Sequence, residues 1–299
     1  MTQKSNQLVF FGTEDYSATV LDNLLSAGVA IEAVITKPDL KKGRGQKLQA
    51  PAVKTVAENY DIAVYQPENL DQMRTAIAQT SRFGAILVSF GKIIPQDIID
   101  SFKLGIINLH PSLLPKYRGP SPIESAIYNG EQLTGVSIMT LSAKMDAGAV
   151  YAQAPVEITP ATTATELYQQ TASIGSKLLI QILPQIISGQ LQPTPQDDTQ
   201  ATYCSLLTKA QGWLDPAQAS AQQLVNQIRA YSIFPKSRLE IYDQICIITE
   251  ASANNQPTSP LNFECADGQF LNIHQLIAPS GKTMTATPSQ GNRIIVYYY

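Results

Sequence analysis

Five short apolar runs, at residues 8–11, 31–35, 62–65, 85–90 and 105–109, mark the first third of the chain, and amphipathic helical stretches at 15–27, 51–60 and 69–79 separate the first four. Runs this short read as buried strands. Their alternation with helices predicts an α/β fold, a parallel sheet wrapped by helices in the Rossmann-like manner. Local signals agree. Pro51 suits a first helical position, Ser121-Pro122 reads as a cap and first residue for a helix over 123–129, and Asn129-Gly130 supplies its stop.

Two further strands, 135–141 and 149–157, flank Ser142–Gly148, a loop longer than a tight hairpin needs. Thr163 and Glu166 have the spacing of a capping box for a long helix carrying Leu167, Ile174, Leu178, Ile182 and Ile186 on one stripe, with Pro184 predicted to kink its last turn. From Gly189 to Tyr203 the chain turns to Gln, Pro, Thr and Asp, which bury little apolar surface and read as a linker. The predicted organisation is therefore a catalytic domain over 1–188, a linker over 189–205 and a smaller domain over 206–299. In the last, a helix near 218–231 precedes short strands at 238–242, 245–249, 261–264 and 269–277, with turns at Asp243-Gln244 and Asp267-Gly268. That pattern predicts a mostly β domain, a barrel of the oligonucleotide-binding (OB-like) type.

Several function classes are poorly supplied. The three cysteines, Cys204, Cys246 and Cys265, are widely spaced and fit neither a disulfide framework nor a zinc site. With only His110 and His274 as histidines and no clustered carboxylates, no catalytic metal is expected. The polar lead 1–7 runs straight into a strand, and no apolar run reaches membrane-spanning length, so a cytoplasmic protein is expected, with no membrane partner. The net charge of −3 gives no overall sign of nucleic-acid binding, but its distribution is uneven. Lys37, Lys41, Lys42, Arg44, Lys47 and Lys54 face Asp39 alone in 37–54, beside Gly43 and Gly45. Taken alone, such a run is a solvated surface loop.

The chemistry-bearing residues begin at the fifth run. In Asn108-Leu109-His110-Pro111 the asparagine and histidine leave the same face of a strand that Pro111 ends. Ligands of parallel α/β sheets bind beyond the carboxyl ends of the strands, which is where this pair stands. A lone strand-end histidine is more often a hydrogen-bonded structural residue. The following loop, Ser112 to Pro122, holds Pro115, Gly119 and Pro120, and is stiff enough either to grip a flat polar ligand or to act as a rigid connector. Asp146, in Lys144-Met145-Asp146-Ala147-Gly148, can orient a histidine or accept a proton, or simply make a turn.

Together, Asn108-x-His110, the run Ser-Leu-Leu-Pro-x-x-Arg-Gly-x-x-Pro-Ile and Asp146 in a Met-Asp-x-Gly loop resemble the formyltetrahydrofolate-dependent transferase family over residues 8 to about 153. The resemblance implies that Asn108, His110 and Asp146 are catalytic, that Ser112, Leu113, Leu114 and Pro115 help bind the folate, and that 10-formyltetrahydrofolate is the co-substrate. Such a triad suits formyl transfer to an amine. Attack on the formyl carbon makes a tetrahedral oxyanion, and a donor aimed at it is commonly worth about 2.7–4 kcal/mol.

The acceptor is named by a different segment. Thr36-Lys-Pro-Asp-Leu-Lys-Lys-Gly-Arg-Gly-Gln-Lys-Leu48 closely resembles the basic loop that the members acting on methionyl-tRNA insert after the second strand, with Gly43-Arg44-Gly45 its strongest mark. The resemblance implies initiator methionyl-tRNA as partner, held by Lys41, Lys42, Arg44 and Lys47. Lysines and arginines can neutralise phosphates there while glycines let the backbone approach. Ile228-Arg-Ala-Tyr231, Phe234-Pro235 and the stretch from Leu271 to Lys282 resemble the family's C-terminal domain more loosely. Basic and acidic residues balance in 206–299, which puts more of the RNA contact on 37–47. A monomer is expected. Formylation of a sugar nucleotide and hydrolysis of formyltetrahydrofolate are the alternatives within the family. A dinucleotide oxidoreductase is disfavoured because Phe11-Gly12-Thr13-Glu14 has one glycine where a pyrophosphate loop needs three, and a non-catalytic RNA-binding module leaves the triad without purpose.

Overall fold

Leu8, Val9, Phe10 and Phe11 are all buried, so strand β1 (Leu8–Gly12) has to be covered on both faces. The period-2 alternation sorts them. Leu8 and Phe10 enter one core with Leu21, Leu24, Val136, Ile138, Leu179 and Leu183, while Val9 and Phe11 enter another with Met73, Ile77, Phe90, Ile98 and Phe102. Each aromatic contributes roughly 1.5–3 kcal/mol by leaving water.

The computed structural model describes residues 6–42, 46–287 and 295–298. After β1 come α1 (Asp15–Ser26), β2 (Ile31–Ile35), β3 (Leu40–Lys42), β4 (Lys47–Gln49), α2 (Ala52–Asn59), β5 (Ala63–Tyr65), α3 (Leu70–Ala78), β6 (Gly84–Val88), α4 (Gln96–Asp100), β7 (Ile106–His110), α5 (Pro122–Tyr128), β8 (Leu133–Thr140), β9 (Val150–Glu157) and α6 (Ala164–Ile187). The large sheet runs β5-β2-β1-β6-β7-β8-β9. The pairings through β7 are parallel as expected, whereas β8 is antiparallel to β7, with Asn108 opposite Met139 and His110 opposite Ser137.

Caps follow the local sequence in part. The Asn69 side chain accepts from the N–H of Gln72 at 2.9 Å. Glu166 accepts from the N–H of Thr163 at 2.8 Å, while the Thr163 hydroxyl accepts from Glu166, which completes the capping box. Helix α6 runs on through Pro184 to Ile187. Ser121 departs from expectation: its hydroxyl donates to the Ser205 carbonyl at 2.6 Å instead of capping α5. Pro51 is the N-cap of α2 rather than its first helical residue.

The chain divides into two compact units, the first of residues 1–120, 134–156 and 168–203, the second of 121–133, 157–167 and 204–299. The second unit contains α7 (Ala221–Ala230) and the strands β10 (Ser237–Ile241), β11 (Gln244–Asn254), β12 (Leu261–Glu264), β13 (Phe270–Ile277), β14 (Thr283–Thr287) and β15 (Ile295–Tyr298). These strands form one antiparallel sheet, ordered β10-β11-β13-β14-β15 with β12 also on β13. Its β10–β11 turn sits at Tyr242 and Asp243, both at positive φ, one residue earlier than the sequence suggests. Leu224 and Ile228 of α7 pack with Leu239, Ile248, Leu271 and Ile273 in the core of this unit. No helix among the described residues is long and apolar enough to cross a membrane.

Candidate active site

Strand β7 explains why a polar pair can sit at a sheet centre. Ile107 and Leu109 point into one apolar core, so Asn108 and His110 take the other face, where both are 5 % exposed. The His110 ring is tied at one nitrogen: Nε2 lies 2.9 Å from the Tyr117 carbonyl. A carbonyl only accepts, so Nε2 carries a proton, and the nitrogen left for chemistry is Nδ1. Nδ1 faces Asp146, with Oδ2 at 3.7 Å, within ion-pair range but beyond a hydrogen bond. The structure thus brings His110 and Asp146 together. Asn108 makes no side-chain hydrogen bond among the described residues, and its amide atoms are not among the wholly buried ones left without a partner, so the carboxamide stays within reach of a ligand.

Asp146 stands in a constrained loop. Its φ is +46°, and its Oδ2 accepts from the N–H of Gly119 at 2.8 Å. Gly148 ends the loop where a Cβ would fall 1.7 Å from the Thr140 carbonyl oxygen, a backbone atom that cannot yield. No other residue type fits there.

The loop expected to bind folate is shaped from within. Ser137 of β8 donates to the Ser112 carbonyl at 2.6 Å and accepts from the N–H of Leu114 at 3.0 Å, and Gln153 of β9 donates to the Leu114 carbonyl at 2.8 Å. Ser112 is fully buried and Leu114 nearly so, while Leu113 and Pro115 are partly exposed. Much of the loop's polar backbone is therefore already paired, and it offers a ligand a preformed wall. Ser137 and Gln153 carry no motif, and only their places on β8 and β9 reveal them.

Residues 189–203, read as linker, also contribute. Thr194 exchanges both backbone hydrogen bonds with Val150 at 2.8 Å, and Thr202 accepts from the N–H groups of Tyr117 and Arg118. Arg118, 1 % exposed, donates to Gln196 through Nε and Nη2, to Asp198 at 2.7 Å and to the Tyr203 hydroxyl at 3.2 Å. Burial works against its charge, but Asp198 and Tyr203 outweigh that and leave its pKa raised.

The basic run is a β-hairpin rather than a loop, with Lys41 opposite Leu48 and Lys42 opposite Lys47. Lys41 and Lys47 are exposed, as are Leu40 and Leu48. Arg44 lies outside the described residues, as does the side chain of Lys42. The hairpin's base is anchored: Asp39 accepts from Gln66 at 2.6 Å and from Lys54 at 2.9 Å, and Gln66 donates to the Lys37 carbonyl. No group of three or more His, Cys, Asp or Glu side chains able to hold a metal ion occurs among the described residues.

Comparison with known proteins shows the family. The family model described as formyl transferase matches residues 6–183. The chain is 38 % identical over 248 residues to a methionyl-tRNA formyltransferase of Sulfurihydrogenibium sp., covering 82 % of this chain and 79 % of that one. It is 35 % identical over 289 residues to that of Lactobacillus acidophilus, covering 92 % and 91 %. Among solved structures, an N-formyltransferase from Helicobacter canadensis in complex with folinic acid and dTDP-3-aminofucose has a TM-score of 0.67 at 21 % identity, covering 90 % of this chain and 99 % of that one, a likeness of fold.

Proposed function

The chain belongs to the formyl transferase family, and on that premise we propose that it transfers the formyl group of 10-formyltetrahydrofolate to the α-amino group of initiator methionyl-tRNA. Relatives bearing that name align over most of both chains, which supports the acceptor. The observation that carries the chemistry is the constellation on β7: Asn108 on the same strand face as a His110 whose Nδ1 faces Asp146.

In the step proposed, the acceptor nitrogen bonds to the formyl carbon and the bond from that carbon to folate nitrogen breaks. The oxyanion between those events takes a hydrogen bond from the Asn108 amide and one from Nδ1–H of His110. Removing one such donor commonly costs about 10²–10³ in rate. Asp146 faces the His110 ring, takes the proton shed by the attacking amine through water, and returns it through water to the folate nitrogen as the bond from that nitrogen to the formyl carbon breaks. An α-amino group of pKa about 7.7–8.0 has a usable neutral fraction near pH 7, so positioning and charge stabilisation dominate over base strength. Ser112, Leu113, Leu114 and Pro115 form the folate wall, and Lys41, Lys42, Arg44 and Lys47 hold the tRNA phosphates.

Within the same reading, residues 1–188 carry catalysis, 189–205 connect while setting Gln196 and Asp198 against Arg118, and 206–299 form an OB-like barrel that supports the tRNA. The bulged register of β11, which shifts twice around Glu250, supports a strand that coils around a small barrel. We infer a cytoplasmic monomer, each unit having an apolar core of its own. The test supplies labelled 10-formyltetrahydrofolate with charged initiator tRNA, glycinamide ribonucleotide or an amino-sugar nucleotide. Label is expected in methionyl-tRNA; its absence there, or a preference for the amino sugar, overturns the assignment.

A further inference from the structure

His110 and Asp146 come from opposite ends of a long stretch of chain, and their separation depends on what holds each one. His110 is fixed at Nε2 by the carbonyl of Tyr117. The next residue, Arg118, points its buried guanidinium at Gln196, with Nε at 3.0 Å and Nη2 at 2.8 Å from Oε1. The other end of the same amide donates to two carbonyls at the end of the acid's loop, that of Asp146 itself at 2.8 Å and that of Gly148 at 2.7 Å. Each lone pair and each proton of that side chain is thereby directed, the oxygen to a cation and the nitrogen to two acceptors. The path from His110 through Tyr117, Arg118 and Gln196 to Asp146 closes on itself across the 3.7 Å between Nδ1 and Oδ2.

We propose that Gln196 is a positioning residue of the reaction, setting the distance between His110 and Asp146 by joining the folate-side loop to the acid's loop. The proposal rests on the formyl-transfer reading above. The surrounding segment is mostly polar: Leu191 packs against the first core and the Thr194–Val150 pair and the Arg118–Asp198 bond hold it further along, but at Gln196 it is these four bonds that join it to the two loops. A misplacement of about 1 Å in an active site can cost about 100-fold in rate, which makes such a tie consequential.

The test uses the full chain with Gln196→Glu, which keeps the acceptor for Arg118 and loses both donors, and Gln196→Met, which loses both halves. Both should lower kcat by about 10- to 100-fold while KM for 10-formyltetrahydrofolate stays within about threefold. In histidine-labelled protein the His110 ring nitrogen resonances, separated from those of His274 by His274→Gln, should move in both variants, as they do in Asp146→Asn. A kcat within about twofold of the parent overturns the proposal, as does a KM that rises by the same factor as kcat falls. Resonances that move in Asp146→Asn but in neither Gln196 variant overturn it as well. Should Gln196→Met not fold, Gln196→Glu retains the Arg118 contact and decides alone. A parent enzyme that formylates no methionyl-tRNA sinks the functional reading, and the resonances still decide the role of Gln196.

Discussion

Nε2 of His110 donates to the carbonyl oxygen of Tyr117 at 2.9 Å, so Nδ1 is the ring nitrogen left to face Asp146. Replacing His110 with Ala removes the only titratable donor on this face of β7. Turnover should fall by about 10²–10⁴-fold. Folate affinity should be nearly unchanged, because Ser137 and Gln153, not His110, shape the loop from Ser112 to Pro115. Single-turnover formylation beside fluorescence titration of the folate separates the two effects. A parallel loss of folate binding would show that His110 holds the loop rather than the reaction.

Asp146 and Gly148 lie two residues apart yet should fail differently. Asp146→Asn keeps an oxygen for the Gly119 N–H and loses the charge facing His110, so kcat should drop by about 100-fold with little change in melting temperature. Gly148→Ala places a methyl against the Thr140 carbonyl and must move backbone, so both kcat and thermal stability should fall. Calorimetry on the two variants distinguishes a charge from a clearance. Equal melting temperatures for Gly148→Ala and the parent contradict the second claim.

The anchor at the hairpin base has a pH signature. The Gln66 amide, and after it Lys54, hold the Asp39 carboxyl below its usual 3.8. A folded-state pKa that is depressed stabilises above the unfolded value, and the gain is lost as pH falls through the folded one. Asp39→Asn should therefore lower the urea midpoint at pH 7, and the gap from the parent should close as pH drops below 3.8. A gap of constant size down to pH 3 would mean that the carboxylate charge plays no part.

How much of this was legible differs from element to element. The large sheet was readable because Leu8 and Phe10 face one core and Val9 and Phe11 the other, so a short uninterrupted apolar run could only be a doubly covered strand. Asn108 and His110 were readable because their spacing sets one face and Pro111 ends the strand. Gln196 was not. Residues 189–203 have the composition of a solvated connection, and the partner that gives Gln196 its role, Arg118, is 78 positions away in sequence. The strand pairing of 40–42 with 47–49 was hidden for a related reason: a lysine-rich stretch carries no period-2 apolar pattern, and only the register shows the hairpin.

That register bears on the last prediction. It places Lys41 and Lys47, whose side chains are both exposed, on the two strands of one ribbon. A bound polyanion attracts both cations, which suits the hairpin to a phosphate backbone. Lys41→Ala, Arg44→Ala and Lys47→Ala should each raise KM for methionyl-tRNA and leave that for the folate alone. If each residue meets a phosphate, each substitution should flatten the slope of log kcat/KM against log salt by about 0.7–0.9. Kinetics at several salt concentrations test this, with Asp146→Asn as a control that lowers the rate and leaves the slope intact. An Arg44→Ala enzyme with unchanged tRNA kinetics would remove the hairpin from the acceptor site and return the choice of amine to the remainder of the chain.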